Sequence, residues 1–230
     1  MSCTSNIPQA VLFDLDGTLV DTAPDLARAT NALRKVHGLS PLPHEDIRRE
    51  VSHGGSALVT LALGLEKKTA GHDEARTLLL EHYGENVAEK SCLFEGFAEL
   101  LEHYRRTGRA WGIITNKPRE YAVPLLKALN IAPDVLLCAD DLTVKKPDPA
   151  PLLEAARRLG IDPHKCWYIG DHLRDIQAAN NAGMTAIAVT YGYLREDDNP
   201  DDWPASQFFE TPEALCRVLL QQGTGEAVSL

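Results

Sequence analysis

Asp14 and Asp16 are the residues whose types and spacing most directly suggest chemistry. They follow the apolar run Ala10–Phe13 and are separated by one residue. Side chains two positions apart in an extended segment project to the same side, so the two carboxylates converge. Crowded carboxylates raise one another's pKa unless a cation compensates. A loop capped by an aspartate turn is the structural alternative, but two inward carboxylates at a strand end favour a chemical role.

Hydrogen-bonding and cationic groups follow two later apolar runs. Thr115 and Asn116 come directly after Ala110–Ile114, where they can donate hydrogen bonds to a phosphoryl group, although a threonine there also caps helices. Lys145 and Lys146 lie in a loop stiffened by proline, and a lysine held there can neutralise an anion as a point charge. A solvated surface lysine is the alternative.

A second pair of acids, Asp171 and Asp175, follows the apolar run Cys166–Ile169. The two are four residues apart, one helical turn, so both can face the same site at the start of a helix. Hard oxygen ligands suit Mg²⁺, which proteins hold through one or two carboxylates while it keeps several waters. Helix capping by Asp171 is the structural alternative to this predicted magnesium site.

Short apolar runs predict the strands that position these groups. The runs are continuously apolar rather than alternating, as expected for parallel strands buried on both faces. Helical patterns separate them, which predicts an α/β fold with a Rossmann-like open parallel sheet, whose ligands bind at the carboxyl ends of the strands. The predicted strands are Ala10–Phe13, Ala110–Ile114, Val135–Ala139, Cys166–Ile169 and Thr185–Val189, and the helices are Phe97–Arg106, Glu120–Leu129, Pro151–Leu159 and Asp175–Ala182.

The segment from Thr22 to Glu89 has no strand pattern. It contains amphipathic helical patterns, including Pro24–Val36 and Asp73–Ala88. We therefore expect an all-helical insert at residues 22–89 and a core formed by residues 1–21 and 90–230. The last residues, Gln221–Leu230, are expected to fray.

Composition excludes several classes of function. The 230 residues carry a formal net charge of −10, which argues against binding to nucleic acid or to anionic lipid surfaces. Five cysteines without a CxxC spacing predict neither a disulfide framework nor a zinc site. No signal peptide or membrane-spanning run is evident. We expect a cytoplasmic monomer or homodimer that acts on a small molecule.

The order of the four polar elements resembles the haloacid dehalogenase-like hydrolase superfamily. The matching segments are DLDGTLVDT at 14–22, ITNK at 114–117, KKPDPAP at 145–151 and GDHLRD at 170–175, and the resemblance spans nearly the whole chain. It implies a magnesium-dependent phosphatase in which Asp14 attacks phosphorus to form an aspartyl-phosphate. Asp16 would protonate the leaving alcohol and then activate the hydrolytic water.

The resemblance implies roles for the other polar residues. Thr115 and Lys146 would hold the phosphoryl oxygens, with Asn116 binding substrate beside them. Lys146 is favoured over Lys145 because it directly precedes a proline, as in the family's KPxP pattern.

The resemblance also implies a set of metal ligands. Mg²⁺ would be bound by Asp14, the backbone carbonyl of Asp16 and Asp171, with Asp175 supporting.

The helical insert resembles the cap of this family, which closes over the site, excludes water and selects the substrate. Arg48, His53, Gly54 and Gly55 are candidate substrate contacts, and an ordinary turn between helices is the alternative for them. One departure from the family pattern is His172, where serine or threonine is common. It would touch substrate, tune the metal shell or simply lie at a helix start.

Substrate preference is indicated by three segments. The KPDPAP segment and Tyr191–Tyr193 are similar to the phosphoglycolate phosphatase branch, and Glu196–Trp203 resembles a sub-branch that dephosphorylates N-acetylmuramate 6-phosphate. We expect hydrolysis of a small phosphate monoester, with 2-phosphoglycolate or N-acetylmuramate 6-phosphate as the best candidates. A sugar phosphomutase of the same family is an alternative. Asp16 and the insert disfavour a phospho-accepting signalling module, and Asp16 also disfavours a dehalogenase.

Overall fold

A six-stranded sheet organises the chain, whose computed structural model describes residues 7–221. The strands of the structure are β1 Ala10–Phe13, β2 Val20–Asp21, β3 Cys92–Leu93, β4 Ala110–Ile114, β5 Val135–Leu137, β6 Cys166–Gly170, β7 Thr185–Val189 and β8 Gln207–Phe209. The helices are α1 Ala23–Val36, α2 His44–Arg48, α3 Gly55–Leu63, α4 His72–Glu85, α5 Phe97–Thr107, α6 Arg119–Ala128, α7 Ala150–Leu159, α8 Leu173–Asn181 and α9 Pro212–Gln221. The predicted fraying of 222–230 lies outside the described residues.

The strand order places β1 at the centre of the sheet. The order is β5-β4-β1-β6-β7-β8, and every neighbouring pair is parallel. The chain adds β4 and β5 on one side of β1 and then crosses to add β6, β7 and β8 on the other. Such a reversal opens a crevice at the carboxyl ends of the central strands, where ligands bind in open α/β sheets. The predicted fold class is confirmed.

The sheet is buried on both faces, which explains its continuously apolar strands. Along β1, Val11 and Phe13 join one apolar core, whereas Ala10 and Leu12 join a second core on the opposite face. Side chains alternate between the two faces of a strand, so a strand covered by helices on both sides needs apolar residues at every position.

Helices α1 to α4 lie between the short strands β2 and β3. These two strands pair antiparallel, with Val20 opposite Leu93 and Asp21 opposite Cys92, so the chain leaves and re-enters the core at one place. Buried Asp25 of α1 strengthens this junction because its Oδ2 accepts hydrogen bonds from the Ser91 backbone N–H at 2.8 Å and the Ser91 hydroxyl at 2.6 Å. We call residues 23–85 the helical segment.

Several predicted elements differ from the structure at their ends. The strand predicted at Val135–Ala139 stops at Leu137, and the helix predicted at Asp73–Ala88 stops at Glu85. The helix predicted at Asp175–Ala182 begins two residues earlier, at Leu173. Within residues 7–221, no helix is long and apolar enough to cross a membrane.

Candidate active site

The carboxyl ends of β1, β4 and β6 bring the predicted polar residues together. Parallel register aligns Phe13 with both Ile113 and Ile169, so each strand ends at the same edge of the sheet. Asp14 follows β1 and Thr115 follows β4, and both are buried. Asp171 follows β6 and is fully buried.

Lys146 is a buried cation at this edge. Its Nζ lies 2.9 Å from Asp14 Oδ1 and 2.7 Å from Asp175 Oδ1, and it donates to the Tyr168 hydroxyl at 2.7 Å. Lys145, the neighbour that the sequence analysis disfavoured, is exposed on the rim of the cavity. The structure therefore places Lys146, rather than Lys145, against the carboxylates.

Three buried carboxylates form a cluster beside this lysine. Asp14, Asp171 and Asp175 each offer an oxygen within 4.8 Å of the others. Burial, together with repulsion among the three, raises the pKa of Asp171 above its usual range, and burial also raises that of Asp14 against the opposing charge of Lys146.

A divalent cation fits this cluster. Asp171 accepts only from neutral groups in the described residues: the Ser52 hydroxyl at 2.8 Å, the Tyr193 N–H at 3.0 Å and the Thr18 hydroxyl at 3.3 Å. Among the described residues, Lys146 forms the ion pairs with Asp14 and Asp175 and no cation forms one with Asp171, which leaves negative charge uncompensated in the cluster. Buried charges are stable only when paired or bound to metal, and all-oxygen donors suit Mg²⁺.

Glycine makes room for Asp171. Gly17 has a φ of +81°, and a Cβ on it would lie 2.2 Å from Asp171 Oδ2. A side chain at Gly192 would collide with the same residue, because its Cβ would lie 2.3 Å from Asp171 Cβ. The glycine of the DLDGT segment thus serves both the turn after Asp16 and the packing of the acidic cluster.

His172, and not Asp171, caps helix α8. Its Nδ1 accepts from the Arg174 N–H at 3.1 Å, and Asp175 Oδ2 accepts in return from the His172 N–H at 3.2 Å. A neutral imidazole whose Nδ1 accepts carries its proton on Nε2. That Nε2 lies 3.4 Å from Nε2 of His53, and burial lowers the pKa of His172 to about 4.

Asp16 accepts hydrogen bonds from Thr22 and Lys117, and the sequence analysis did not include Lys117 in the site. Its Oδ1 accepts from the Thr22 hydroxyl at 2.6 Å and from Lys117 Nζ at 2.9 Å. Lys117 is buried and lies over the Tyr83 ring, with 4.5 Å from Nζ to the centroid. Burial alone would lower the pKa of Lys117, but the Asp16 carboxylate and Tyr83 raise it above its usual value. The signal for Lys117 was its place in the ITNK segment; nothing in the sequence pointed to Tyr83.

Thr115 and Asn116 shape the turn after β4. The Thr115 hydroxyl accepts from the Lys117 N–H at 3.1 Å, and Asn116 Nδ2 donates to the backbone carbonyl of Lys146 at 3.0 Å. Asn116 therefore ties the turn to the loop that carries the buried lysine. Both residues line the cavity described next.

A cavity of about 300 Å³ separates the helical segment from the strand ends. Asp14, Asp16 and Thr115 lie on its core side. Its other walls include apolar, aromatic and cationic side chains. The apolar lining includes Leu26, Val51, Leu58 and Leu80, the aromatic lining is Tyr83 and Tyr121, and the cations are Lys67, Arg76, Lys117, Lys145 and Arg174.

The four predicted substrate contacts of the helical segment separate into two groups. His53, Gly54 and Gly55 line the cavity. Arg48 does not: its guanidinium donates to Asp21 at 3.0 Å and to the Tyr191 carbonyl at 3.2 Å. The structure therefore places Arg48 at the junction between the helical segment and the core.

The turn at Val51–His53 covers the acidic cluster directly. Besides the Ser52 hydroxyl on Asp171, the Arg174 guanidinium donates to the Ser52 backbone carbonyl. A second residue missed by the sequence analysis, Ser52, thus connects the helical segment to a candidate metal ligand. Its place in a glycine-rich turn gave no specific signal.

Comparisons with known proteins in sequence and in structure all indicate one family of hydrolases. A family model described as haloacid dehalogenase-like hydrolase matches residues 11–189. The N-acetylmuramic acid 6-phosphate phosphatase of Pseudomonas aeruginosa is 43% identical over 92% of this chain and 94% of its own length. A phosphoglycolate phosphatase of Xylella fastidiosa is 38% identical over 91% and 92%. The crystal structure of a predicted phosphoglycolate phosphatase from Haemophilus somnus superposes with a TM-score of 0.79 at 26% identity, covering 92% of this chain and 98% of that one.

Proposed function

Because this chain belongs to the haloacid dehalogenase-like hydrolase family and is a phosphoric monoester hydrolase, we propose that it hydrolyses N-acetylmuramate 6-phosphate through an aspartyl-phosphate on Asp14. The observation that carries this proposal is the cavity. Asp14 and Asp16 face apolar, aromatic and cationic side chains across a volume large enough for a sugar.

Asp14 is the proposed nucleophile. Its Oδ1 accepts from the Leu15 N–H at 2.7 Å and lies 2.9 Å from Lys146 Nζ, whereas no described residue donates a hydrogen bond to Oδ2. Oδ2 therefore keeps its lone pairs for attack on phosphorus, which forms the acyl phosphate and breaks the bond from phosphorus to the ester oxygen that Asp16 protonates. Thr115, at the neighbouring strand end, binds a phosphoryl oxygen, and Lys146 offsets the negative charge of the phosphoryl group.

Asp16 is the proposed acid and base. Its Oδ1 is held by Thr22 and Lys117, and no described residue donates to Oδ2. Oδ2 is thus the oxygen that carries the proton given to the leaving alcohol. It takes a proton back from the water that attacks the aspartyl-phosphate, which regenerates Asp14 and releases inorganic phosphate.

The acidic cluster supplies the proposed magnesium site. Asp14 and Asp171 would hold the ion with the backbone carbonyl of Asp16, and Asp175 would support them. When bound, the ion supplies the positive charge that offsets repulsion between the Asp14 carboxylate and a phosphate dianion.

The cavity supports the sugar phosphate over the smaller acid. About 300 Å³ corresponds to roughly ten water volumes, which a two-carbon phosphate ester such as 2-phosphoglycolate fills only in part. Apolar Leu58 and Leu80 and the rings of Tyr83 and Tyr121 offer surfaces for a pyranose ring and an acetamido methyl group. The 38% identical phosphoglycolate phosphatases keep 2-phosphoglycolate as the second candidate.

The helical segment is the proposed cap. It supplies the turn over Asp171 and the cavity walls, so it excludes water from the chemistry and selects the alcohol that is released.

Phosphate release by the purified full chain tests the proposal. We expect turnover of N-acetylmuramate 6-phosphate with a kcat/KM above that for 2-phosphoglycolate, abolished by EDTA and restored by Mg²⁺. Preference for 2-phosphoglycolate would reverse the order of the two candidates. Isomerisation of a hexose phosphate without phosphate release would indicate the phosphomutase instead, and metal-independent turnover would overturn the mechanism.

A further inference from the structure

Arg76 is a cation of the cavity wall without an anionic partner. It lies on α4, is half-buried, and forms no ion pair with any carboxylate of residues 7–221. Its Nε lies 3.7 Å from the Cβ position of Gly55, so the guanidinium stem packs against the start of α3.

The position of Arg76 on α4 fixes its distance from the reacting groups. Arg76, Leu80 and Tyr83 follow one another at helical spacing and all line the cavity, so they form a stripe along it. Tyr83 contacts Lys117, which contacts Asp16, so this end of the stripe lies at the catalytic groups. Seven residues of helix advance about 10 Å, so the backbone of Arg76 lies about that far along α4 from the backbone of Tyr83.

We propose that Arg76 binds a second anionic group of the substrate, a carboxylate, at the end of the cavity remote from the phosphoryl group. This inference rests on the proposed phosphatase function and specifies its substrate class. A guanidinium presents parallel N–H donors that match a carboxylate, and a half-buried site without a competing acid makes the pairing selective.

The separation distinguishes between carboxylate-bearing substrates. In 2-phosphoglycolate the carboxylate is only a methylene and an ester oxygen from phosphorus, too close to span the stripe. In N-acetylmuramate 6-phosphate the lactyl carboxylate and the phosphate lie across the pyranose ring from each other. The distal arginine therefore fits an acidic sugar phosphate, and Lys67, exposed at the same wall, adds positive charge.

The experiment compares two sugars that differ in this carboxylate. N-acetylglucosamine 6-phosphate lacks the lactyl group of N-acetylmuramate 6-phosphate. Each is used as a competitor of p-nitrophenyl phosphate hydrolysis by wild type, Arg76→Gln, Arg76→Lys and the control Lys68→Gln. Lys68 is an exposed cation of the same segment that does not line the cavity. Competition gives an inhibition constant that equals the Kd of a sugar phosphate that is not hydrolysed and the KM of one that is.

We expect wild type to bind N-acetylmuramate 6-phosphate about 10- to 100-fold more tightly than N-acetylglucosamine 6-phosphate, as for a charged hydrogen bond. Arg76→Gln should bring the inhibition constants of the two sugars to about the same value, Arg76→Lys should keep part of the preference, and Lys68→Gln should keep all of it. Equal binding of the two sugars by wild type, or a preference that survives in Arg76→Gln, overturns the proposal. Direct turnover of N-acetylmuramate 6-phosphate by wild type separately judges the proposed function.

Discussion

Replacing Asp171 with asparagine should stabilise the metal-free protein while removing its response to magnesium. Asp171 has carboxylate neighbours within 4.8 Å, and each such pair repels by about 3 kcal/mol at an effective dielectric constant of 20. Asparagine has the same shape. Its side-chain oxygen can accept the hydrogen bonds that Ser52 and Tyr193 donate to Asp171. The bond that the Thr18 hydroxyl donates to Asp171 is replaced by one that the asparagine NH₂ donates to the Thr18 oxygen.

The net gain in the free energy of unfolding is smaller than the repulsion that the substitution removes. Charge-assisted hydrogen bonds become neutral ones, at a cost of about 1 kcal/mol each, and partial protonation already relieves some repulsion in wild type. We expect Asp171→Asn to raise the free energy of unfolding by about 2 kcal/mol in EDTA, or roughly 4–8 °C in Tm for a chain of this size.

Thermal unfolding with and without metal measures both parts of this prediction. Wild type in EDTA should unfold at a lower temperature than Asp171→Asn, and Mg²⁺ should raise the Tm of wild type but not that of the variant. The control Asp197→Asn removes an exposed acid and should follow wild type. A variant less stable than wild type in EDTA would refute the reasoning, because the hydrogen bonds to Asp171 would then outweigh the repulsion.

Three other substitutions address the remaining groups of the site. Asp14→Asn should abolish turnover without lowering the Tm in EDTA, since it removes a buried negative charge; retained turnover would reassign the nucleophile. Lys117→Met should slow turnover and destabilise the fold by about 3 kcal/mol by breaking a buried pair, and adding Asp16→Asn should recover part of that stability in unfolding measurements. Additive losses would show that the pair is not coupled. His172→Asn keeps a capping acceptor but loses the Nε2 donor facing His53, so the Tm should change little while KM for the sugar phosphate rises and that for p-nitrophenyl phosphate does not. A large fall in Tm would assign His172 a purely structural role.

The strands and the polar residues at their ends were predictable because strands buried on both faces are continuously apolar in sequence. Ala10–Phe13, Ala110–Ile114 and Thr185–Val189 have the same bounds in the structure as in the prediction. The strands β2 and β3 show no such apolar run, because two residues are too few to form a recognisable pattern.

The contacts that complete the site arise between distant parts of the chain. Lys117 meets Asp16 across 101 positions, and Ser52 meets Asp171 across 119. Neither contact follows from local pattern, since both depend on how the helical segment and the turn after β4 pack over the strand ends. The start of α8 was misplaced for a local reason, because its capping residue is His172, which is not among the residue types that usually signal a helix N-cap.

The helical segment and the acidic cluster are in direct contact in this arrangement. Ser52 donates to Asp171 from a turn that Arg174 also holds, and the same turn continues into cavity-lining Gly54 and Gly55. Under the proposed function, a substrate that reaches the distal wall contacts the helical segment that carries this turn, whereas a small phosphate ester leaves that wall unfilled. Binding energy from the remote part of the substrate can in this way be used to organise the groups around phosphorus, which is how specificity appears in kcat as well as in KM.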